Sequence, residues 1–206
     1  MKNWSVQPPG VVRMLYPVAL WRERTERKEV FLTFDDGPVP EVTPKVVEIL
    51  EEYGIKATFF CVGENVKKYP DVYNLLQERG HRTGNHTFNH LQAFRSNRND
   101  YLRNVQKARN YIKSDLFRPP HGQLYPWQMK ELKKIFNRIV MWDVLSKDYD
   151  AGLTWEDVFE NVKRHVRPGS VIVFHDSLKA LSGMEKALPE TIKYLLSEGY
   201  EFKLIS

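Results

Sequence analysis

Short runs of β-branched and aromatic residues alternate along the chain with segments in which apolar residues recur every three or four positions. The runs predict strands at 30–34, 57–62, 81–84, 116–118, 138–144, 171–174 and 200–205. The segments between them predict helices near 42–53, 70–79, 98–114, 126–136, 154–166 and 185–198. Gly54 follows the first helix and is expected to cap its carboxyl end.

This alternation of strands and helices predicts a parallel sheet, either open and doubly wound or closed into a barrel. The strands are apolar at consecutive positions, as in Ile172-Val173-Phe174, which indicates burial on both faces. Polar residues fall at or just past the predicted carboxyl ends of strands: Asp35, Asp36, His86, Arg118, Asp143 and His175. Because barrels place their chemistry at that rim, the pattern favours an α/β barrel of the TIM type with about seven parallel strands.

Composition places these elements in one domain. The chain has 206 residues, of which 42% are apolar, and it contains no linker, repeat or low-complexity tract. A single cysteine, Cys61, excludes an intramolecular disulfide and a thiolate metal cluster. The net charge of +5 is spread over helices, as at Lys130 and Lys133, which is typical of solvated helix faces and disfavours nucleic-acid binding.

The amino-terminal segment, residues 1–28, precedes the first predicted strand and includes an apolar stretch at 11–21. A charge and a proline interrupt that stretch, no cleavage site follows it, and no window of the chain has the length and purity to span a bilayer. We therefore expect either a cytoplasmic protein or an exported one whose signal is absent. Trp4, Leu15 and Trp21 are expected to pack this segment onto the main domain.

The segment TFDDGP, residues 33–38, ends the first predicted strand on two adjacent carboxylates, Asp35 and Asp36. Like charges this close at the rim of an apolar core disfavour each other's ionisation, so a cation or strong donors are expected nearby. The alternative is an exposed turn in which both aspartates are hydrated.

The segment HTFNH follows the third predicted strand and contains His86 and His90. If the segment turns helically, both imidazoles lie on one face and can reach one ion, and Asp36 would complete a set of two histidines and one carboxylate. The alternative is a pair of histidines that hydrogen-bond the backbone.

In RPPHG, Arg118 is followed by two rigid prolines and then by the backbone N–H groups of a tight turn. Arg118 can hold a carboxylate bidentately, and the amide of His121 can face a developing oxyanion. The alternative is a proline turn that ends a strand beside a surface arginine.

The segment WDVLSKDY contributes two acids and two aromatic rings. Either Asp143 or Asp148 can orient an imidazole, and Trp142 or Tyr149 can wall a sugar site. The alternative is a loop whose polar groups are all satisfied.

The segment IVFHD delivers His175 from an apolar strand onto the same rim. Opposite a metal, His175 is a candidate general acid, whereas alone it would be a satisfied core histidine. His81 and His165 have no such context and are expected to be structural.

Taken in order, TFDDGP, HTFNH, RPPHG, WDVLSKDY and IVFHD resemble the five motifs of the NodB-homology polysaccharide deacetylases, carbohydrate esterase family 4. The resemblance spans residues 29–206 as the deacetylase domain and leaves residues 1–28 as a segment packed on it. It implies a distorted (β/α) barrel and a metal-dependent hydrolase of linear amides. Such an enzyme removes N-acetyl, sometimes O-acetyl, groups from chitin-like, peptidoglycan or xylan chains, so the implied partner is an acetylated glycan.

By this resemblance, Asp36, His86 and His90 correspond to the ligands of a divalent metal, with Zn²⁺ expected first and Co²⁺ or Ni²⁺ as alternatives. Asp35 corresponds to the general base that activates water. Arg118 corresponds to the residue that orients that base.

The resemblance also implies that His175 is the general acid that protonates the leaving amine and that Asp148 tunes this histidine. Ile172 and Phe174 fall where the family forms its pocket for the acetyl methyl group.

Two positions depart from the family pattern. His121 stands where the third motif usually has tyrosine, so its side chain changes the groove or offers an extra ligand. Tyr149 stands where the fourth motif usually has tryptophan, which affects the shape of one sugar subsite.

Two other functions stay open at this point. A related barrel hydrolase of a small amide or cyclic imide would need a rim closed into a pocket, whereas an open groove lined by Tyr149, Trp127 or Tyr125 would disfavour it. A carbohydrate-binding pseudoenzyme would keep the fold without the chemistry, but such proteins usually lose a ligand or the base.

Overall fold

A computed structural model describes residues 6–206, in which parallel strands and helices alternate. The strands are β1 (Glu29–Asp35), β2 (Thr58–Cys61), β3 (Arg82–Asn85), β4 (Leu116–Phe117), β5 (Arg138–Ile139), β6 (Val144–Leu145), β7 (Val171–His175) and β8 (Glu201–Phe202). Seven strands form a curled sheet in the order β5-β4-β3-β2-β1-β7-β6, and β8 pairs with the start of β1. The predicted distorted (β/α) barrel is confirmed.

The predicted strand at 138–144 is wrong as a single element. Its two ends form β5 and β6, which pair with β4 and β7 and therefore lie at opposite ends of the sheet. Residues 140–143 cross between them, and the Met141 N–H donates to the carbonyl of Leu20 instead of to a sheet strand (2.7 Å). This crossing joins the two ends of the curl.

The helices are α1 (Gly10–Leu15), α2 (Thr43–Glu52), α3 (Gly63–Lys68), α4 (Pro70–Glu78), α5 (Arg98–Ala108), α6 (Pro126–Leu132), α7 (Trp155–Lys163) and α8 (Leu181–Ser197). All six predicted helices are present, with α5, α6 and α7 shorter than predicted. The two short helices α1 and α3 were not predicted because neither extends far enough to show an apolar period. Within residues 6–206, no helix has the length and apolar character needed to cross a membrane.

Gly54 ends α2 as its sequence context predicts. Its φ of +64° lies in the left-handed region. The Gly54 N–H donates to Glu51 O (3.0 Å) and the Ile55 N–H donates to Leu50 O (2.9 Å), the paired bonds of a Schellman motif. The motif turns the chain back toward β2.

Side chains of the central strands alternate between two apolar layers. Leu32 and Phe34 of β1 pack with Phe174 of β7 against the helices, in the main core. Phe31 and Val171 point the other way, into the curl of the sheet. Because side chains alternate along a strand, Asp35 and His175 share the inner face with Phe31 and Val171.

Asp143 lies at the opposite end of the barrel from the predicted rim. Its N–H donates to Val171 O at the start of β7, which places it at the amino-terminal end of the strands (2.9 Å). Its buried carboxylate accepts from Arg13 of α1 (2.7 Å), Arg167 (2.7 and 2.9 Å) and the Ser170 hydroxyl (2.7 Å). The expectation that Asp143 could orient an imidazole is therefore wrong, and this carboxylate instead binds the amino-terminal segment.

The three residues predicted to pack the amino-terminal segment onto the domain have different outcomes. Trp21 is buried, and its ring lies 6.3 Å from that of Trp142, centroid to centroid. Leu15 is 65% exposed, so its predicted packing role is wrong. Trp4 lies outside the described residues.

Candidate active site

A cleft of about 510 Å³ opens at the carboxyl ends of the strands. It brings together eight residues singled out from the sequence: Asp35, Asp36, His86, His90, His121, Trp142, Tyr149 and His175. Arg118 and Asp148 lie directly behind this surface, in contact with Asp35 and His175. All five motifs thus contribute residues to the surface of the cleft, and RPPHG and WDVLSKDY each contribute a further residue behind it.

Asp35 ends β1 and forms a buried ion pair with Arg118. The Arg118 Nη1 atom donates to Asp35 Oδ1 at 2.6 Å. Among the described residues, no donor bonds the second oxygen of Asp35, which belongs to the wall of the cleft. One oxygen is therefore held and the other is free to act.

Arg118 is fully buried, and its position is fixed from several directions. Its guanidinium donates to Thr33 Oγ1 (2.8 Å) and to the carbonyls of Met141 (3.0 Å) and Val140 (3.4 Å). The guanidinium carbon also lies 4.1 Å from the centroid of the Phe60 ring. Burial lowers the pKa of Arg118, although the charge of Asp35 opposes the shift. These contacts explain how a buried cation is retained beneath the rim.

Asp36, His86 and His90 form a cluster that fits a metal ion. The Asp36 Oδ1 atom lies 3.2 Å from His90 Nε2 and 3.8 Å from His86 Nε2, and the three ligand atoms all lie within 4.8 Å of one another. Oδ1 is buried and has no hydrogen-bond partner in residues 6–206. Burial alone would raise the pKa of Asp36, but the close approach of the His90 ring and the charges of His175 and His86 lower it well below its usual value.

His86 presents an unprotonated nitrogen to this cluster. Its Nδ1 atom lies 2.8 Å from the carbonyl oxygen of Arg118, and because a carbonyl only accepts, Nδ1 carries the proton. Complete burial lowers the pKa of His86 to about 4, despite the opposing charge of Asp35. The neutral ring therefore directs the Nε2 lone pair toward Asp36, the arrangement seen in metal-binding histidines.

The HTFNH segment reaches this geometry without a helical turn, so the predicted helical spacing is wrong. Thr87 and His90 have φ angles of +67° and +57°. The N–H groups of Gly63 and Glu64, at the start of α3, donate to the carbonyls of Thr87 (2.9 Å) and Phe88 (2.7 Å). These bonds hold an irregular loop whose two imidazole centroids still lie 5.1 Å apart.

Asp36 also has a left-handed backbone, with a φ of +84°. This conformation is unfavourable for a residue with a side chain, so the surrounding structure must hold it. Asn65 Nδ2 donates to Asp36 O, and Val62 N donates to the carbonyl of the following residue, Gly37, both at 2.8 Å.

Asp176 completes this support and was not identified from the sequence. Its buried carboxylate accepts from the Gly37 N–H (2.9 Å) and from the Thr43 hydroxyl (2.7 Å). Burial raises the pKa of Asp176 to about 8, although both hydrogen bonds oppose the shift. A Cβ atom on Gly37 would lie 1.8 Å from this carboxylate, so only glycine fits the turn.

His175 and Asp148 form a second pair on the other side of Asp35. Asp148 accepts from His175 Nδ1 (2.8 Å) and from the His175 N–H (2.7 Å). Burial would lower the pKa of His175, but the charge and hydrogen bond of Asp148 outweigh it and raise the pKa to about 9. The imidazole is therefore protonated at neutral pH, as a general acid requires. Its ring meets that of Tyr149 edge to face at a centroid distance of 4.9 Å.

Ile172 and Phe174 do not line the cleft, contrary to the prediction. Both are completely buried in the main core, on the helix-facing side of β7. Val173 and Leu145 provide apolar wall instead. Alternation along β7 could have identified Val173, because it stands two residues before His175 and shares its face.

His121 lies beside the cluster of Asp36, His86 and His90. Its ring centroid is 4.9 Å from that of His90, and the Gln92 amide nitrogen lies 2.9 Å from His121 Nε2. Its φ of +57° leads into Gly122, where a Cβ atom would lie 2.6 Å from the Trp142 ring. The close approach of Gly122 to Trp142 fixes the turn that presents His121 to the cleft.

A curled parallel barrel in which an Asp-His-His cluster, an arginine-held carboxylate and a protonated histidine share one cleft has the groups that amide and ester hydrolases use. Residues 22–137 match the family described as polysaccharide deacetylase, which is more than half of the chain. The chain belongs to this family, the NodB-homology deacetylases of carbohydrate esterase family 4, whose members of this type hydrolyse carbon–nitrogen bonds other than peptide bonds.

Known proteins with similar sequences include two named deacetylases. The chain is 34% identical to a peptidoglycan-N-acetylglucosamine deacetylase of Bacillus cereus, over 98% of this chain and 78% of that protein. It is 36% identical to a chitooligosaccharide deacetylase of Azorhizobium caulinodans, over 73% of this chain and 74% of that protein. The crystal structure of a peptidoglycan N-acetylglucosamine deacetylase matches with a TM-score of 0.87 and 31% identity, covering 96% of this chain and 94% of the other.

Proposed function

We propose that this chain removes N-acetyl groups from a glycan such as peptidoglycan or chitooligosaccharide, in a reaction that depends on a divalent metal ion. One observation supports this above the others. A free oxygen of Asp35, the Asp36-His86-His90 cluster and the protonated His175 all face one cleft. This is the set of groups that amide hydrolysis needs: a base, an electrophile and an acid.

Asp36, His86 and His90 would hold the metal, with Zn²⁺ as the first candidate and Co²⁺ or Ni²⁺ as alternatives. Two neutral or neutralisable imidazoles and one carboxylate suit such ions, and the unpartnered Asp36 Oδ1 supports the assignment. When bound, the ion supplies Lewis acidity, which polarises the acyl oxygen and makes water more acidic.

Different residues around this centre would carry out the two proton transfers of the reaction. Asp35 takes a proton from the attacking water through its free oxygen, while Arg118 holds its other oxygen (2.6 Å). His175, held by Asp148, gives a proton to the leaving amine. The His121 N–H has no acceptor among the described residues and is available to the oxyanion that develops on the acyl carbon.

The walls of the cleft suit a sugar. Trp142 and Tyr149 present aromatic rings, and Val173 and Leu145 offer apolar surface for the acetyl methyl group. One named relative is described as a peptidoglycan-N-acetylglucosamine deacetylase and the other as a chitooligosaccharide deacetylase, and this supports the same class of substrate here. O-deacetylation would use the same groups, with an alcohol as the leaving group.

The test is acetate release from a panel of chitooligosaccharides, peptidoglycan and acetylated xylan, each with and without added Zn²⁺ or Co²⁺. We expect release from at least one N-acetylated glycan and its loss after chelation. Asp36→Ala should lose both bound metal and activity, whereas Asp35→Ala should keep the metal and lose activity.

Two results would contradict the proposal. Metal binding without acetate release from any glycan would favour the carbohydrate-binding pseudoenzyme. Hydrolysis of small amides or cyclic imides alone would favour the small-substrate alternative. Of the three aromatic residues whose lining of the groove would count against that alternative, Tyr149 lines the cleft, whereas Trp127 and Tyr125 do not.

A further inference from the structure

A second depression of the surface, of about 570 Å³, lies at the amino-terminal end of the barrel, and we call it the basal crevice. Its polar lining includes residues that precede or begin two strands: His81 and Arg82 at β3, and Lys113 and Asp115 before β4. Arg109, which follows α5, lines it as well. The active-site cleft opens at the other ends of the strands and shares no lining residue with the basal crevice. The two depressions are therefore separate.

His81 gives the basal crevice a hydrogen-bond donor that the described residues do not use. The Ala57 N–H donates to His81 Nδ1 (3.2 Å), so Nδ1 is the unprotonated nitrogen. Burial and the charge of Lys56 lower the pKa of His81 to about 4, so the ring is neutral at pH 7 and Nε2 carries its one proton. Nε2 is buried and has no hydrogen-bond partner in residues 6–206. The predicted structural role of His81 thus accounts for Nδ1 and leaves Nε2 unexplained.

This unpaired N–H group indicates a missing acceptor. A buried donor without a partner is rare in folded proteins, because it has given up its bond to water without a replacement. The other tautomer of His81 does not solve the problem, because a proton on Nδ1 would face the Ala57 N–H and leave that group without an acceptor. An oxygen atom of a ligand in the basal crevice would solve it.

Two cations of the same crevice have no carboxylate partner in residues 6–206. Arg109 Nη1 donates to Gln106 Oε1 (3.1 Å), and Lys113 Nζ donates to Arg109 O (3.2 Å). Both contacts are with neutral groups, and each uses one of the several N–H donors of its side chain. Arg109 and Lys113 therefore keep their charge, and most of their donors, for a ligand.

The carboxylate of Asp115, which also lines the basal crevice, is already engaged. Its Oδ1 accepts from Arg82 Nη2 (2.6 Å), and its Oδ2 accepts from Asn137 Nδ2 (3.0 Å). Arg82 Nη1 donates to the carbonyl of Ile205 (2.5 Å), which fixes this ion pair in the wall. Because the pair is neutral as a whole, the charge left to a ligand is that of the two free cations, and an anion complements it.

We propose that the basal crevice binds a phosphate group through His81, Arg109 and Lys113. One phosphate oxygen accepts from His81 Nε2, and the two cations bind the others. A phosphate ester carries close to two negative charges at neutral pH, which matches two free cations, whereas a carboxylate carries one charge. The crevice has the volume of a small-molecule site, so the group is either free phosphate or part of a small organic ester. This proposal does not depend on the deacetylase function.

The test is a titration of the isotope-labelled protein with inorganic phosphate, followed by NMR of the backbone amides. We expect saturable shifts at residues 81–83 and 113–115, which report on the basal crevice. Amides at 85–90 report separately on the cleft, where a bound metal ion could also attract phosphate. Acetate at the same ionic strength should shift the amides of the crevice less than phosphate does.

His81→Asn should raise the Kd for phosphate at the crevice about 10- to 100-fold, because a hydrogen bond to a charged group is lost. Asparagine Oδ1 can still accept from the Ala57 N–H, so this variant removes the free donor and keeps the structural contact. Arg109→Gln and Lys113→Gln should each raise Kd about 2- to 5-fold, since exposed ion pairs are modest.

Titration with glycerol 3-phosphate distinguishes the two sources of the phosphate group. Tighter binding than that of inorganic phosphate would support an ester as the ligand, because the crevice then also contacts the organic part. Equal or weaker binding, with the same response to His81→Asn, would support the free ion.

The matched control is Lys130→Gln/Lys186→Gln, which removes from exposed positions of α6 and α8 the same charge that Arg109→Gln/Lys113→Gln removes from the crevice. Three results would overturn the proposal: no saturable shift at the crevice, equal weakening in this control, or unchanged binding in a folded His81→Asn variant. If His81→Asn does not fold, the comparison of the two double variants decides. The titration does not measure acetate release, so its failure and that of the proposed function are distinct.

Discussion

Two buried aspartates, one at each end of the barrel, bind arginine and differ in what they leave free. Asp143, at the amino-terminal end, accepts from Arg13, Arg167 and Ser170, so that both of its oxygens are used. Asp35, at the carboxyl end, accepts from Arg118 through Oδ1 and keeps its second oxygen at the cleft. An aspartate–arginine pair thus stabilises the structure where both carboxylate oxygens accept hydrogen bonds. It is suited to chemistry where one oxygen has no hydrogen-bond donor.

The largest expected effect comes from removing the charge at the cleft. Asp35→Asn should lower kcat by about 10²- to 10⁴-fold, because a positioned general base contributes that much. Metal content, measured on the purified protein, should stay at the parental level. A variant that releases acetate at the parental rate would show that Asp35 is not the base.

The corresponding change at the other end should affect stability instead of turnover. Asp143→Asn should lower the free energy of unfolding by about 2–3 kcal/mol, less than for a fully buried pair because Arg167 is half exposed. Urea denaturation measures the loss, and kcat per folded molecule should be unchanged. The control Asp115→Asn breaks a more exposed pair with Arg82 and should cost at most about 1 kcal/mol.

The pair of His175 and Asp148 predicts how the rate depends on pH. The folded pKa of His175 is raised to about 9, so its acid form persists through neutral pH and the rate should fall as pH rises through about 9. In Asp148→Asn the charge that raises this pKa is absent while burial still lowers it, so the high-pH limb should move to lower pH. The pH profile of kcat tests this, with Asp150→Asn as the control, whose limb should stay in place.

The smallest expected effect concerns the turn that holds Asp36. Asp176→Ala leaves the buried Gly37 N–H without an acceptor and should cost about 1–3 kcal/mol of stability. Asp176→Asn keeps an acceptor and should lose less. Urea denaturation of both variants tests this, and equal losses would show that the hydrogen bond to Gly37 is not the relevant contact.

Most helices and strands could be predicted from the spacing of apolar residues. Many site residues could be predicted because they stand where a predicted strand ends. The run that ends in Asp35 and the run that ends in His175 are both apolar and short, and in a parallel barrel their polar ends must share one rim. The register confirms this at the closest point, since Asp35 pairs directly with His175 across β1 and β7.

Two of the errors share a physical cause, because contacts with residues distant in sequence determine the observed structure. Nothing in the run 138–144 indicates that its two ends pair with different strands, so Asp143 was placed at the wrong end of the barrel. The HTFNH spacing fits a helix, but the amides of α3 hold a left-handed backbone at Thr87 and His90. The error at Ile172 and Phe174 has a different origin. Side-chain alternation along β7, which the sequence shows, already places them on the face opposite to His175.

The crossing from β5 to β6 limits how far the two walls of the cleft can separate. Five peptide steps join Ile139 to Val144, so their Cα atoms can never be more than about 17 Å apart, however the side chains repack. This covalent span ties β5, which pairs with β4, to the start of β6, whereas the loops that carry His121 and Tyr149 extend beyond it. Because this connection limits how far β5 and β6 can part, widening of the cleft for a bulkier ligand falls to the loops above the rim.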